Sequence, residues 1–273
     1  FSLVNIISSL QILSFIGTYS LNLLVITFYT LPIIIFFNIK NLRKFTILLL
    51  AVLTLLINVY YGFNKIEQIE NKPKKIIFPS IKLVSPKFNI ERFFINEPIE
   101  DKINELFENS YPLDKDVILV FPEGITNIGE INHLENNFGN ISNQLTDKSK
   151  IILGITLDDG EKIFNSLAVF NKEFEIEDKY NKNKLVPFGE FLPFEKFLSK
   201  FGLKKITHGY KSFSSSTERN ILSVGEISFL PLICYEIIFS GALTKNADNY
   251  DFILNISEDG WFGNSIGPIQ HFS

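Results

Sequence analysis

Two uncharged stretches near the start of the chain constrain it more than any other feature. Residues 1–39 carry no charged side chain, and neither do residues 45–63 (FTILLLAVLTLLINVYYGF). A bilayer core about 30 Å thick is crossed by about 20 apolar helical residues, so the second run fits one crossing. The first run is longer than one crossing needs, and its opening, FSLVNIISSLQ, is polar enough to lie at an interface. A crossing is therefore expected near 12–37, with 1–11 as a loop or surface helix. The competing reading is a buried hairpin of a soluble protein, which seldom contains uncharged runs of this length. The intervening NIKNLRK (38–44) carries Lys40, Arg43 and Lys44 and no acid, the mark of a cytoplasmic loop. Two crossings return the chain, so residue 64 onward is expected on the far face, which in a bacterium is the periplasm or the cell exterior.

The rest of the chain differs in kind. Residues 64–75 (NKIEQIENKPKK) are polar and read as a linker. Residues 64–273 hold all 30 acids and every one of the 26 basic residues except the three in the 38–44 loop, a net charge of −7. That balance argues against a nucleic-acid partner, whose phosphates call for a basic face. Short apolar runs alternate with mixed ones. Strands are expected at 81–84, 117–121, 151–155, 166–170, 229–233 and 252–256, and helices at 98–110, 131–147 and 192–201. Near-continuous Val/Ile/Leu runs indicate strands covered on both faces, and the alternation indicates an α/β layered domain. The chain lacks methionine even at position 1 and stops at Gln270–Ser273 without a turn or cap signal. It is expected to be a fragment, cut within its last domain.

In open α/β sheets functional groups gather where strands end, and three strand ends, or the loops after them, carry candidates. VILVFPEGIT runs a strand into Glu123, whose plain alternative is a glutamate in the first turn of a helix. FLPLICYEIIF ends a strand at Cys234, the one cysteine of the chain. Core packing is the plain alternative there, since a nucleophilic role needs a base or cation to generate thiolate. Glu236, between Tyr235 and Ile237, requires a partner to offset its desolvation. In KYNKNKLVPFGEFLPFE (179–195) two prolines and a glycine fix a rigid loop around Glu190, while Lys179, Lys182 and Lys184 each read alone as solvated charges. No G-x-S-x-G elbow supports a serine hydrolase, and no Cys/His cluster has zinc-ligand spacing. Neither a metal nor a cofactor is expected.

A Glu, a Lys and a Cys in this order resemble the triad of the nitrilase superfamily. More specifically, YNKNKLVPFGE resembles the Y-x-K-x-x-L-V-P-F-G-E loop of bacterial apolipoprotein N-acyltransferases. CYEIIF is similar to their nucleophile segment, and SEDGWFGNSIGPIQHF (257–272) to their N-D-A-W-F-G-x-S-x-G-P-x-Q-H-F stretch. The resemblance covers nearly the whole chain but only part of a full family member. It implies an α/β fold, a nitrilase-like αββα sandwich preceded by transmembrane α-helices. The implied division is 1–63 membrane region, 64–75 linker and 76–273 catalytic domain, truncated at its C-terminus. Carried over by position, Glu123 is the general base, Lys182 the oxyanion-stabilising cation and Cys234 the nucleophile; Glu190, Tyr235 and Glu236 support them. Departures are Phe121 and Gly124 in FPEG, Glu258 and Gly260 in SEDG, and FNIERFF (88–94), where the family carries a lid tryptophan.

The resemblance further implies a multi-pass protein of the bacterial inner membrane with its catalytic domain in the periplasm. Its implied partners are the bilayer, a phospholipid acyl donor and a diacylated apolipoprotein acceptor. The abundant phenylalanines at 188, 191, 194, 197 and 201 then offer a lipid-facing rim, with ordinary core packing as the alternative. Two rival functions use the same residues differently. One is a membrane-tethered amidase or nitrilase with water as second nucleophile; the other is a non-catalytic relative.

Overall fold

The computed structural model describes residues 6–71, 80–86, 98–114, 116–127, 142–194, 197, 200, 212–239, 249–263, 265–267 and 269. They fall into two compact units, which divide between Ile76 and Ile77.

The first unit is helical. A short α1 (Ile7–Leu10) precedes α2 (Leu13–Thr30), which passes into a 3₁₀ segment, Leu31–Phe36. The switch follows from Pro32 in the first turn of that segment, which lacks the N–H that would continue the α ladder. Asn41–Glu70 form α3. Leu13–Phe36 and Asn41–Glu70 are both long and apolar enough to cross a membrane, with only 6% and 11% of their most apolar windows buried. Part of the polar stretch 64–75, read as a linker, is helical. Helix α3 continues through Glu70, because Lys65, Glu67, Gln68 and Glu70 in KIEQIE are straight-chain helix formers that extend an established helix at little cost. The cationic loop is also shorter than expected, since Arg43 and Lys44 already lie in the first turn of α3.

The second unit is built on two sheets. Strands β1 (Ser80–Leu83), β2 (Val117–Val120), β3 (Thr126–Asn127), β4 (Lys150–Asp158), β5 (Ile163–Phe170) and β6 (Ile176–Asn181) form the larger one. Its order is β1-β2-β4-β5-β6, with β3 also on β4; the pairs before β5 are parallel and those beyond are antiparallel. Strands β7 (Leu222–Val224), β8 (Ile227–Ile233) and β9 (Phe252–Ile256) form the smaller one, β7 antiparallel and β9 parallel to β8.

The period of two along β2 sets the layers. Val117, Leu119 and Phe121 pack with Ile103, Leu106 and Phe107 of α4 (Ile99–Glu108) on one face. Ile118 and Val120 face the opposite way, into a core shared with Leu222, Phe229, Ile233 and Ile256 of the smaller sheet. Three layers of the expected sandwich (helix, sheet, sheet) are thus formed by described residues. Three strands had no sequence signal: β3 has two residues, β6 is too polar (IEDKYN), and β7 has three residues. Of the helix expected at 131–147, residues 131–141 lie outside the described residues, and 143–147 are not helical. Half of 192–201 and all of 88–94 also lie outside them.

Candidate active site

The site assembles where β2, β6, β8 and β9 end. Glu123 follows β2 in a loop laid directly on β4. Phe121 N–H donates to Ile152 O at 2.9 Å, Gly154 N–H to Pro122 O at 3.1 Å and Ile125 N–H to Gly154 O at 2.9 Å. A Cβ on Gly154 would stand 2.4 Å from Glu123 Cα and 2.6 Å from Pro122 O, so only glycine allows this approach. Gly124, the departure from the family's Thr or Ser, adopts φ 68°, a left-handed conformation that side chains disfavour. Glu123 is buried, 8% exposed.

Lys182 is the first residue beyond β6 and only 1% exposed. Its Nζ donates to Glu123 Oε1 at 3.1 Å and to Glu190 Oε1 at 3.0 Å. Lys179 and Lys184 are exposed, so the structure selects one lysine from three. Asn165, on β5, bridges the same two carboxylates: its Nδ2 lies 2.7 Å from Glu123 Oε1 and 2.6 Å from Glu190 Oε1. Its carbonyl accepts Lys182 N–H at 2.8 Å. Two donors thus hold two acceptors in a closed square. Glu190 is fixed from its other oxygen by Val186 N–H at 2.8 Å, inside the proline-bounded loop.

Burial by itself would pull the Lys182 ammonium down. The charges of Glu123, Glu190 and Cys234 outweigh it and hold the group above the ordinary lysine range. Lys182 is therefore a fixed cation, and its third N–H has no partner among the described residues. Glu123 likewise keeps Oε2 unengaged among them.

Cys234 opens a 3₁₀ turn, Cys234–Ile238, directly after β8, with φ 53°. A left-handed non-glycine residue is strained and tends to mark a functional turn. Its sulfur lies in the field of Glu123 and Lys182, and it meets the Ser257 hydroxyl and the Tyr235 N–H. Burial first, and then the Glu123 charge, push the thiol up to about 12, against the opposing pull of Lys182. The resting sulfur is a thiol.

Glu236 is fully buried and organises the backbone around the thiol. Its Oε1 accepts Tyr180 OH at 2.8 Å, the N–H groups of Asn183 and Lys184 at 2.9 Å each, and Arg219 Nη2 at 3.4 Å. Its Oε2 accepts Ile233 N–H at 3.0 Å. One carboxylate thereby ties the lysine loop to the cysteine turn. Burial and the Glu236 charge raise the Tyr180 hydroxyl above the usual tyrosine range, so it stays a donor. The Tyr235 ring packs edge-on against Phe239, 5.2 Å between centroids. Among the described residues no group of three or more His, Cys, Asp or Glu side chains could hold a metal ion. Of the expected rim, Phe188, Phe194 and Phe197 are exposed, Phe191 is half-buried and Phe201 lies outside the described residues.

The carbon-nitrogen hydrolase family model matches residues 119–273, more than half of the chain. The chain belongs to the carbon-nitrogen hydrolase family. This member is 29% identical to the apolipoprotein N-acyltransferase of Rickettsia typhi over 281 residues, which covers 96% of this chain and 53% of that protein. It is 41% identical over 112 residues to the enzyme of the same name from Rhizobium leguminosarum bv. trifolii, covering 41% of this chain and 21% of that one. The chain thus spans about half, or less, of the length of these relatives. A CN-hydrolase superfamily protein of known structure from Xanthomonas campestris is similar at 16% identity, covering 65% of this chain and 64% of that one, with a TM-score of 0.42.

Sequence reasoning missed Asn165, Arg219, Ser257 and Gly154 in this family member's site. For two of them a signal existed: an amide inside the apolar run IFNSLAVF needs a buried partner, and a lone glycine inside a strand marks close backbone approach.

Proposed function

We propose that the chain is the core of an acyltransferase that carries an acyl group through a thioester on Cys234. The observation that carries this reading is a buried ammonium held between two carboxylates beside a thiol at a strained turn.

Glu123 Oε2 removes the thiol proton as the sulfur attacks an ester carbonyl of a phospholipid. The carbonyl π bond breaks, and the resulting oxyanion accepts the third N–H of Lys182. One well-aimed donor of this kind is worth roughly 3 kcal/mol. Collapse expels the lysophospholipid oxygen, which takes the proton back from Glu123, and leaves Cys234 acylated. The α-amine of a diacylglyceryl-cysteine then attacks the thioester. Free amines of this type titrate at about 8, so a useful fraction is neutral near physiological pH. Glu123 accepts the amine proton and returns it to the departing sulfur, giving an amide and a thiol.

The name of the relatives supports the lipoprotein acceptor, and the two uncovered apolar helices support a bilayer location. Each CH₂ of an acyl chain favours hydrocarbon over water by about 0.8 kcal/mol, which favours an enzyme that works at the membrane. In this reading the protein is a multi-pass membrane protein with its sheet unit in the periplasm.

The test is incubation with a phospholipid carrying a labelled acyl chain. Label should accumulate on Cys234 in a hydroxylamine-sensitive bond and move to a diacylglyceryl-cysteinyl peptide on its addition. Label lost to water at the same rate with and without peptide would favour an amidase-like hydrolase, and no label on Cys234 would overturn the proposal.

A further inference from the structure

We propose that Ser257 is a positioning residue for the nucleophile: its hydroxyl, set between the Cys234 sulfur and Asp259, turns to the sulfur when that atom carries negative charge. This rests on the reading of Cys234 as the nucleophile, and on no particular acyl donor.

The strand register carries the argument. Strands β8 and β9 are parallel neighbours with Ile233 opposite Ile256. The next residue of each, Cys234 and Ser257, must therefore emerge side by side, on strands that run about 4.8 Å apart. Asn255 Nδ2 donates to Cys234 O at 3.3 Å, which ties the two strand ends together. The Ser257 hydroxyl touches the sulfur and also reaches Asp259 Oδ1 at 3.3 Å. That second bond is long for O–H···O, whose usual length is about 2.8 Å. The hydroxyl thus reaches two groups, the Cys234 sulfur and Asp259 Oδ1, and its one proton can serve either.

A serine hydroxyl has one proton and two lone pairs, so it can serve both states of the sulfur. Beside the thiol, the S–H donates to Oγ and the O–H points to Asp259. Beside the thiolate, the O–H swings to the sulfur. The charged and polar groups around the sulfur come from four strand ends. Those that act on it are Glu123 after β2, Lys182 after β6, the Tyr235 N–H in the turn after β8 and Ser257 after β9, with Asp259 Oδ1 behind the Ser257 hydroxyl. Burial and Glu123 oppose the thiolate, while Lys182, Ser257 and the Tyr235 N–H favour it. Lys182 also holds both carboxylates, and the N–H belongs to the backbone. Of these three, Ser257 is the partner that a substitution can remove without dismantling the Glu123–Lys182–Glu190 cluster.

The chain has one cysteine, so thiol alkylation reports on this sulfur alone. Iodoacetamide labelling of the full chain in detergent, followed at pH 8.5, should slow roughly tenfold in Ser257→Ala, the effect of one hydrogen bond to a charged group. Ser257→Thr keeps the hydroxyl and should label within about twofold of the parent rate, since a hydroxyl offers the same donor. Labelling in urea should be equal in all three chains. Thiolate absorbance titrated from pH 8 to 12 gives an independent reading and should show a higher midpoint for Ser257→Ala only. Unchanged labelling and midpoint in Ser257→Ala, or Ser257→Thr as slow as Ser257→Ala, overturns the assignment. Because alkylation needs no acyl donor, the expected pattern with no acylation by phospholipid would sustain this inference and sink the acyl-transfer reading alone.

Discussion

The two units of this protein solve the problem of burial in opposite ways. The helical unit leaves large apolar side chains uncovered: Phe15 is 84% exposed, Tyr19 91% and Leu23 67%. Its polar Ser8 and Ser9 are buried. The sheet unit hides its aliphatic strands between layers and also buries charge, with Lys182 at 1% and Glu236 at 0%. An uncovered apolar surface of that extent is costly in water, while a buried charge is tolerable only when other groups replace its hydration. The difference teaches that one unit keeps its apolar residues on an uncovered outer face, while the other supplies the fixed protein dipoles that a buried lysine requires.

The strongest way to break this comparison is Lys182→Met. It leaves Glu123 and Glu190 as adjacent buried carboxylates without their cation. A stability loss of about 3–5 kcal/mol is expected from a broken buried pair, measured by urea unfolding. Acylation of Cys234 should fall by roughly a thousandfold with the loss of the oxyanion donor, measured by trapping of labelled acyl groups.

Next in size is Leu23→Lys, which places a charge near the centre of the first apolar helix. If the helix exterior faces hydrocarbon, the substitution disfavours insertion by about 2.5–3.5 kcal/mol, visible as loss of carbonate-resistant membrane pelleting. Unchanged pelleting would remove the contrast between the two units.

Gly154→Ala drives a methyl group into the Glu123 loop at 2.4 Å from Cα. A strain of about 1–3 kcal/mol is expected. A displaced base lowers single-turnover acylation by about a hundredfold, with the fold retained by circular dichroism.

Alkaline titration sharpens the account of the buried thiol. The unfolded thiol titrates near 9.0 and the folded one near 12. Between these values the unfolded chain gives up a proton that the folded chain keeps, so stability falls as pH rises. The slope from this group is at most about 1.4 kcal/mol per pH unit. Urea midpoints of Cys234→Ala should decline less than those of the parent across that window. The raised Lys182 acts in the same direction: its contribution is present below the unfolded lysine value and lost as pH climbs through the folded one. The smallest effect is expected for Lys179→Ala, a solvated neighbour, within about 0.5 kcal/mol and without change in acylation.

Much of this was legible in the residues. Six strand cores follow from Val/Ile/Leu runs, since an apolar run of that length has few other homes. The polar edge strand β6 was not legible. Its side chains are mostly exposed, so only the antiparallel pairing with β5 identifies it. Lys182 could not be told from Lys179 and Lys184 by composition; the family resemblance singled it out, and the fold gives the physical reason by ending β6 one residue before it.

The chain by itself determined where apolar surface must go, because hydrophobic periodicity is a property of neighbouring residues. It also determined which reactive groups follow strands. Tertiary structure alone decided which of those groups meet. The partners of Lys182 come from residues 123, 165, 190 and 216, and those of Glu236 from 180, 183, 184, 219 and 233. Such pairings depend on strand order and register, which long-range packing sets and local sequence does not encode.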